Sequence, residues 1–274
     1  MTEPTDATIR TAVITGASSG IGAAFARQLA REGYALILHG RREHLLSNLC
    51  TELRETCGVR AEYILAEFSD EDDLRRLESK IRETPTLDML VNNAGYSTLR
   101  HFDQEDIEGQ ERLIRVHVIA TVRLTHAAIP AMLRRRGGSI INVSSVAGFM
   151  FSAGSVTYCA TKAYLNTFTE ALHQELRGTG IRVQALCPGW TRTDFHARMG
   201  VNTSAYARWF MSPGAVVNAS LKGLKRGQVV CIPGILYKVS ALAFRVLPKP
   251  ILYRVVAAAS SRNPVKKAVK RDSA

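Results

Sequence analysis

RTAVITGASSGIG, residues 10–22, is the stretch that decides the fold of this chain. A short run of strand-forming residues leads into three glycines that open a segment of helical periodicity. Glycine lets the backbone approach a pyrophosphate, and the N-terminus of the next helix offers N–H groups and the positive end of its dipole. A structural turn without a ligand is the alternative, but the position between strand and amphipathic helix favours a dinucleotide-binding turn. Its predicted members are Gly16, Ser18, Ser19, Gly20, Ile21 and Gly22.

Beyond this turn, short apolar runs alternate with longer segments of helical period. The predicted strands are residues 10–15, 34–39, 60–66, 87–92, 139–145, 181–187 and 228–232, and the predicted helices are 20–32, 42–57, 71–83, 105–135, 155–178 and 213–226. Such alternation is typical of βα units around a parallel sheet. The sequence therefore predicts an α/β fold, a Rossmann-type doubly wound sheet of about seven parallel strands in a single domain.

The composition narrows the classes of function. With 274 residues, 46% hydrophobic and 22% charged, the chain can bury a two-sided core and is unlike a disordered chain. The net charge of +12 raises the question of a nucleic-acid or membrane partner. The densest basic runs, 134–136 and 262–271, are not interleaved with aromatic residues. We therefore expect no nucleic-acid partner, and interpret the charge as scattered over the surface with an ordinary basic tail.

The cysteines and the N-terminus bear on the setting of the protein. The five cysteines form no CxxC pair and have no metal-like spacing with histidine, so we expect no metal site, a reduced intracellular setting and a cytoplasmic location. MTEPTDATIR, residues 1–10, lacks the apolar segment of a secretory signal. No uninterrupted apolar run approaches the roughly 18 residues of a membrane span.

The end of the second predicted strand bears on the choice of cofactor. It reads His39-Gly40-Arg41-Arg42. An NAD site usually has a carboxylate here for the ribose 2′-hydroxyl, whereas a 2′-phosphate needs cations. An arginine pair is often only surface, but behind a glycine-rich turn Arg41 and Arg42 favour NADP(H).

Three further residues could carry acid–base chemistry. Tyr158 and Lys162 stand at i and i+4 on one helix face. A nearby ammonium stabilises a phenolate, so that a phenol with a reference pKa of about 10 can act as acid or base near neutral pH. Ser145, at the end of the fifth predicted strand, can donate a hydrogen bond to a substrate oxygen. A YxxxK pair alone arises by chance, and it gains weight only from its neighbours.

Taken together, these residues resemble the short-chain dehydrogenase/reductases over roughly residues 10–235. The matching motifs are TGASSGIG at 15–22, NNAG at 92–95, NVSS at 142–145, YCATK at 158–162, and Pro188-Gly189 followed by Thr191 and Thr193. The resemblance implies an NADP(H)-dependent oxidoreductase, a carbonyl reductase or alcohol dehydrogenase that transfers hydride to or from a small-molecule carbonyl or alcohol. It also implies a homodimer or homotetramer that pairs through the helices near 105–135 and 155–178.

The resemblance also implies a role for each motif. Tyr158 would give and take the proton, and Lys162 would lower its pKa and hold the nicotinamide ribose. Ser145 rather than Ser144 would steady the substrate oxygen, since it lies thirteen residues before Tyr158. The remaining cofactor contacts would come from Asn92, Asn93, Ala94, Gly95, Pro188, Gly189, Thr191 and Thr193. An NADP(H)-binding sensor with weak or no turnover is the alternative function, against which the intact acid–base set argues.

Two positions depart from the family pattern. Where the family has an Asp that contacts adenine, this chain has Glu67, although Phe68 can still flank the ring. The long helix has His117 where the family has an Asn in a distorted turn, whose main-chain carbonyl holds a water that links the lysine to solvent. We include His117 in the catalytic set. A histidine that is merely tolerated is the favoured interpretation; a ring in the proton path, or disabled catalysis, are the alternatives.

The rest of the chain is assigned by the same resemblance. Residues 1–9 would be a flexible N-terminus, 10–235 the catalytic domain, and 236–274 a C-terminal helical extension with a basic tail. The segment near 190–212 is where relatives have a mobile lid. Its apolar residues would suit a hydrophobic 3-oxoacyl thioester, steroid or other ketone, with ordinary packing as the alternative: Phe195, Met199, Tyr206, Trp209, Phe210 and Met211.

Residues 235–259 have apolar residues near helical spacing with basic residues between them. Such a helix could cover a neighbour's site, line the lid, or lie on anionic lipid. We favour packing against its own or a sister subunit, with weak contact to a membrane surface as the alternative.

Overall fold

The computed structural model describes residues 9–98, 100–193 and 210–261. In this part of the chain, parallel strands form a seven-stranded sheet in the order β3-β2-β1-β4-β5-β6-β7. The strands are β1 (Thr11–Ile14), β2 (Ala35–Gly40), β3 (Ala61–Leu65), β4 (Leu87–Asn92), β5 (Gly138–Val143), β6 (Ile181–Leu186) and β7 (Val230–Cys231). The predicted fold class is confirmed, and each predicted strand overlaps an observed one. The strand order reverses between β1 and β4, where doubly wound sheets bind ligands.

Helices cover both faces of the sheet. They are α1 (Gly20–Arg31), α2 (Glu43–Cys57), α3 (Glu71–Arg82), α4 (Ile107–Ile114), α5 (Ala120–Arg134), α6 (Val156–Glu175), α7 (Pro213–Lys225), α8 (Ile235–Val246) and α9 (Lys249–Ser261). Successive side chains of a strand point to opposite faces, so Ile14 joins the core under α1, α2 and α7, and Val13 joins the core under α3, α5 and α6. This two-sided burial explains the continuous apolar character of the strands.

The long helix predicted over 105–135 is interrupted. A π-helical segment, Arg115–Ile119, separates α4 from α5. Among the described residues, Ile107–Arg134 is also the stretch that is long and apolar enough to cross a membrane by length and composition. That is weak evidence for a span, because 56% of the window is buried and α5 packs on α3 and β4.

Part of the predicted lid lies outside the described residues, namely Phe195, Met199, Tyr206 and Trp209, as do residues 1–8 and the basic tail 262–274. The two flanks of the lid segment are bridged, because Met211 pairs with Thr191. Phe210 is buried and packs edge-on against Trp190, with ring centroids 5.3 Å apart.

Candidate active site

A cavity of about 490 Å³ opens at the carboxyl ends of the strands. All but two of the predicted site residues line this cavity, so residues far apart in sequence share one cleft. The exceptions are Gly22 and Asn92, for which cofactor contact stays a prediction. A Cβ at Gly22 would lie 2.6 Å from Asn93 Nδ2, so glycine here permits close packing. Asn92 is buried, and its Nδ2 donates to Asn142 Oδ1 (2.8 Å) on the neighbouring strand.

The glycine-rich turn has the backbone that its sequence requires. Gly16 and Gly20 have φ of +65° and +59°, in the left-handed region that glycine tolerates best. Helix α1 begins after Ser19 without a side-chain cap, so its first N–H groups remain available to an anion in the cavity. The Thr15 hydroxyl accepts from the backbone N–H of Asn93 at 2.9 Å and so ties the turn to the end of β4. This cradle fits the pyrophosphate of a dinucleotide.

Charged side chains form one end of the cavity. Arg42 donates from Nη2 to the hydroxyls of Ser18 (3.0 Å) and Ser19 (2.8 Å), which brings its guanidinium beside the glycine-rich turn. Arg41 is paired with Glu67, with Nη1 and Oε2 2.6 Å apart, and its side chain is 61% exposed. This end therefore presents two cations and one carboxylate.

His39, for which the sequence predicted no role, packs against the residues that form the charged end of the cavity. Its ring stacks on Phe68 with centroids 4.1 Å apart, so one face of the Phe68 ring is already covered. Nδ1 accepts from the Gly16 N–H at 3.4 Å, and Nε2 donates to the Ala66 carbonyl at 3.0 Å. Burial lowers the pKa of His39 to about 4, so the ring is neutral at physiological pH and holds the turn against the end of β3.

The opposite end brings Ser145, Tyr158 and Lys162 together. Burial raises the pKa of Tyr158 to about 12, and a hydrogen bond from Ser145 partly offsets this. Burial lowers the pKa of Lys162 to about 8. Lys162 Nζ lies 5.7 Å from the centroid of the Tyr158 ring and donates to the Val143 carbonyl at 2.9 Å. Burial of the phenol therefore sets the direction of the Tyr158 pKa shift in this structure, and the lowering of that pKa by Lys162 stays a prediction.

The two serines at the end of β5 differ in what they contact. The Ser144 hydroxyl is buried and donates to the Lys162 carbonyl at 2.9 Å. The Ser145 hydroxyl accepts from the Ala147 N–H at 3.1 Å and reaches the phenol of Tyr158. The geometry thus favours Ser145 as the serine that can contact a substrate oxygen.

His117 lies in the π-helical segment, the distorted turn expected at this position. Its Nε2 accepts from the Tyr96 N–H at 3.2 Å, so Nδ1 carries the proton and donates to Thr161 Oγ1 at 2.9 Å. Thr161 in turn donates to the Tyr158 carbonyl at 2.9 Å. Burial, with a smaller contribution from the Lys162 charge, lowers the pKa of His117 well below its usual value. With both ring nitrogens engaged and the ring neutral, the geometry favours a structural histidine over a ring in the proton path.

The position of the His117 ring also explains why residue 95 is a glycine. A Cβ at Gly95 would lie 2.9 Å from His117 Nε2. The main-chain carbonyl of His117 accepts from the Thr121 hydroxyl at 2.8 Å, and a carbonyl oxygen has a second lone pair for another donor.

Several further residues line the cavity that the sequence did not single out, including Tyr96, Met150 and Trp190. Tyr96 directly follows the NNAG motif, which is a signal that could have identified it. Trp190 has the same kind of signal, since it lies between Gly189 and Thr191, whereas Met150 has none, because only the fold brings its loop to the cavity.

A parallel doubly wound sheet with a glycine-rich turn at its switch point, and a serine, a tyrosine and a lysine at the far end of the same cleft, is the arrangement of a dinucleotide-dependent oxidoreductase. A family model described as short chain dehydrogenase matches residues 10–203. The chain belongs to this family.

Several relatives show how close the similarity is. A short-chain dehydrogenase from Sphingobium yanoikuyae, solved in complex with NADPH, is 37% identical, with a TM-score of 0.80 over 85% of this chain and 92% of that one. A bulky-bulky ketone specific alcohol dehydrogenase from Comamonas testosteroni is 31% identical, with a TM-score of 0.75 over 88% and 96%. Sulfoacetaldehyde reductase 2 from Chromohalobacter salexigens is 38% identical over 67% of this chain and 73% of its own length.

Proposed function

We propose that this protein is an NADP(H)-dependent carbonyl reductase that acts on a hydrophobic ketone. The observation that carries the proposal is one cavity with Ser145, Tyr158 and Lys162 at one end and Arg42 at the other. The acid–base group and the site for a 2′-phosphate are then at opposite ends of one extended cofactor.

The chemistry at the catalytic end follows from the pKa values. When bound, NADPH supplies the hydride. The Ser145 hydroxyl holds the carbonyl oxygen of the substrate, and Tyr158 gives that oxygen its phenolic proton. With a pKa of about 12, the phenol is protonated at neutral pH and is ready to act as an acid. The protonated phenol can therefore serve as the acid in carbonyl reduction, and the same group, as a phenolate, would serve as the base in alcohol oxidation.

Arg42 supports the choice of NADP(H). Its guanidinium is already oriented by two serine hydroxyls beside the glycine-rich turn, so little side-chain entropy is lost when it contacts a phosphate. Arg41 can add a second contact once it separates from Glu67. The NADPH complex of the Sphingobium yanoikuyae relative supports the same choice.

The cavity wall supports a hydrophobic substrate. Large side chains with apolar surface in its lining include Tyr96, Met150 and Trp190. The names of the relatives point in two directions, to bulky ketones and to sulfoacetaldehyde. The wall of this cavity favours the first.

Assembly is part of the proposal. Exposed apolar residues lie on the outer faces of α4, α5 and α6, namely Ile107, Ile114, Leu133, Val156 and Tyr164. They support pairing of identical subunits through this surface, since closed symmetric association is the usual form of soluble oligomers. Light scattering is expected to give a multiple of the 30.1 kDa chain mass. A monomer at micromolar concentration would contradict it.

The decisive experiment follows NADPH absorbance with a panel of bulky ketones, steroid ketones, aldehydes and 3-oxoacyl thioesters. We expect oxidation of NADPH with at least one bulky ketone, and its loss in Tyr158→Phe. A protein that binds NADPH tightly but reduces nothing in the panel would support the sensor instead.

A further inference from the structure

The positive charge of the chain is concentrated in its C-terminal part. Residues 195–271 contain 14 Lys and Arg and no Asp or Glu, whereas the rest of the chain contains 22 basic and 24 acidic residues. The interpretation of a scattered surplus is therefore wrong, because the whole net charge of +12 arises from this region. Five of its basic residues directly follow α9, at Arg262, Lys266, Lys267, Lys270 and Arg271.

Helix α8 lies in this region and is apolar on two opposite faces. Its inner face packs on the protein: Ala241 is 2% exposed, Phe244 contacts Phe151, and the Tyr237 ring covers Gly189 so closely that a Cβ there would overlap it. The expected packing against its own subunit is therefore observed for this face.

The outer face of α8 is exposed. We call it the outer stripe: Ile235, Val239, Leu242 and Val246, which follow one another at spacings of four, three and four. Their exposed fractions run from 59% to 73%. Residues at these spacings share one helix face, so the stripe is a continuous apolar strip in the described chain.

Helix α9 continues the exposed surface. Leu252 is 2% exposed and anchors the helix, whereas Ile251, Tyr253 and Val255 are 47–58% exposed. Lys249 also packs near an aromatic ring, with Nζ 5.5 Å from the centroid of Phe151. Basic residues at 238, 249 and 254 therefore border apolar side chains, with no acidic residue on either helix.

We propose that the outer stripe, with the exposed residues of α9, docks the protein on an anionic lipid surface. Apolar side chains on one helix face, bordered by Lys and Arg, enter the boundary between headgroups and acyl chains while the cations contact lipid phosphates. The 14 cations of residues 195–271, a region that contains no Asp or Glu, supply the attraction that brings the stripe to such a surface. The proposal does not depend on the proposed reductase activity.

A second copy of this chain fits the stripe less well. Two identical surfaces meeting about a two-fold axis would bring Lys238 and its neighbours together with no carboxylate on α8 or α9 to compensate. The acid nearest to α8 among the described ion pairs is Glu170, whose Oε1 lies 3.9 Å from Arg245 Nη2. Arg245 is also stacked over Phe149, 4.7 Å from its ring centroid, so this pair belongs to the inner contacts.

The test is sedimentation of the full-length protein with vesicles of pure phosphatidylcholine and with vesicles in which about one third of the lipid is phosphatidylglycerol. We expect binding to the anionic vesicles to be at least about tenfold stronger, and to weaken in about 0.5 M salt, where charge attraction is screened. The variant V239Q/L242Q removes half of the outer stripe at exposed positions and is expected to lose at least about tenfold in binding.

Phe102→Gln is the matched control, because Phe102 is also an exposed apolar residue with a basic residue close by in the sequence, at position 100, and it lies outside the surface proposed for subunit pairing. It is expected to bind like the wild type. Failure of the wild-type protein to sediment with anionic vesicles would overturn the proposal, as would unchanged binding by V239Q/L242Q. Light scattering on the same variant tests whether a second copy of the chain occupies the outer stripe instead. A fall in mass without any vesicle binding would assign the stripe to a second copy.

Discussion

The two ends of the cavity belong to one fold but differ in their electrostatics. At the catalytic end, Lys162 is buried and Tyr158 is half-buried, and desolvation moves the pKa of Tyr158 to about 12 and that of Lys162 to about 8. At the opposite end, which holds Arg41 and Arg42, the Arg41 and Glu67 side chains are 61% and 37% exposed and pair directly. Burial sets the chemistry at the first end, and charges in contact with water set the binding at the second.

This difference predicts different responses to substitution. Loss of a buried group removes an interaction that water cannot replace, whereas loss of an exposed charge is partly compensated by solvent and salt. We therefore expect activity to be sensitive to the loss of a single atom at the catalytic end of the cavity. At the binding end, we expect substitutions to change affinity by smaller steps.

The largest effect is expected for Tyr158→Phe, which removes only the phenolic oxygen. We expect kcat for a reduced ketone to fall at least about a hundredfold, the low end of general acid contributions. NADPH affinity, measured by fluorescence titration, is expected to stay within about threefold, since the fold and the phosphate end are unchanged. Activity that survives this substitution would remove Tyr158 from the mechanism.

The next largest effect is expected in the free energy of unfolding at acid pH, through protonation of His39. His39 has a folded-state pKa of about 4, against about 6.5 for an unfolded histidine. The unfolded chain therefore binds the proton first, so this contribution to stability is complete above pH 6.5 and is lost as the pH falls towards 4. Between pH 8 and pH 5, His39 is expected to remove about 2 kcal/mol from the free energy of unfolding.

Urea unfolding at both pH values measures this contribution. His39→Gln is expected to show a pH dependence smaller by about that amount, while His44→Gln, at an exposed position on α2, is expected to behave like the wild type. The same pH dependence in His39→Gln and wild type would show that His39 is not the group responsible.

Cofactor choice is expected to change by about one order of magnitude. NADPH should bind at least about tenfold more tightly than NADH, and Arg42→Gln should abolish that preference. Arg41→Gln is the matched comparison at the neighbouring position. It is expected to cost only about threefold, because Arg41 is exposed and already paired with Glu67. Equal affinities in the wild type would contradict the assignment of NADP(H).

The smallest effect is expected for His117→Asn. Asparagine restores the family residue and can still accept from the Tyr96 N–H, so kcat should stay within about tenfold of wild type. Separate measurement of kcat and KM distinguishes a displaced Tyr96 loop, which changes KM, from a broken proton path, which changes kcat. A wild-type protein that is inactive and is switched on by this substitution would show that His117 had silenced the enzyme.

Much of the site was predictable because its motifs are local. The glycine-rich turn, the arginine pair and the Tyr158–Lys162 spacing each depend on a few consecutive residues. His39 and Tyr96 were missed as site residues because their importance comes from partners far along the chain: Ala66 for the first and His117 for the second. The arginine pair shows the same limit, since the pairing of Arg41 with Glu67 joins two strand ends that only the sheet brings together.

By itself, the sequence determined the α/β class, the strand and helix positions and the identity of the chemical groups, because periodicity and turn chemistry are properties of neighbouring residues. Only the tertiary structure decided which groups are buried, and therefore which protonation states they hold. It buried His117, left Tyr158 half-buried in the cavity wall and left the outer stripe of α8 exposed. Burial depends on every element packed around a residue, and no local pattern contains that information.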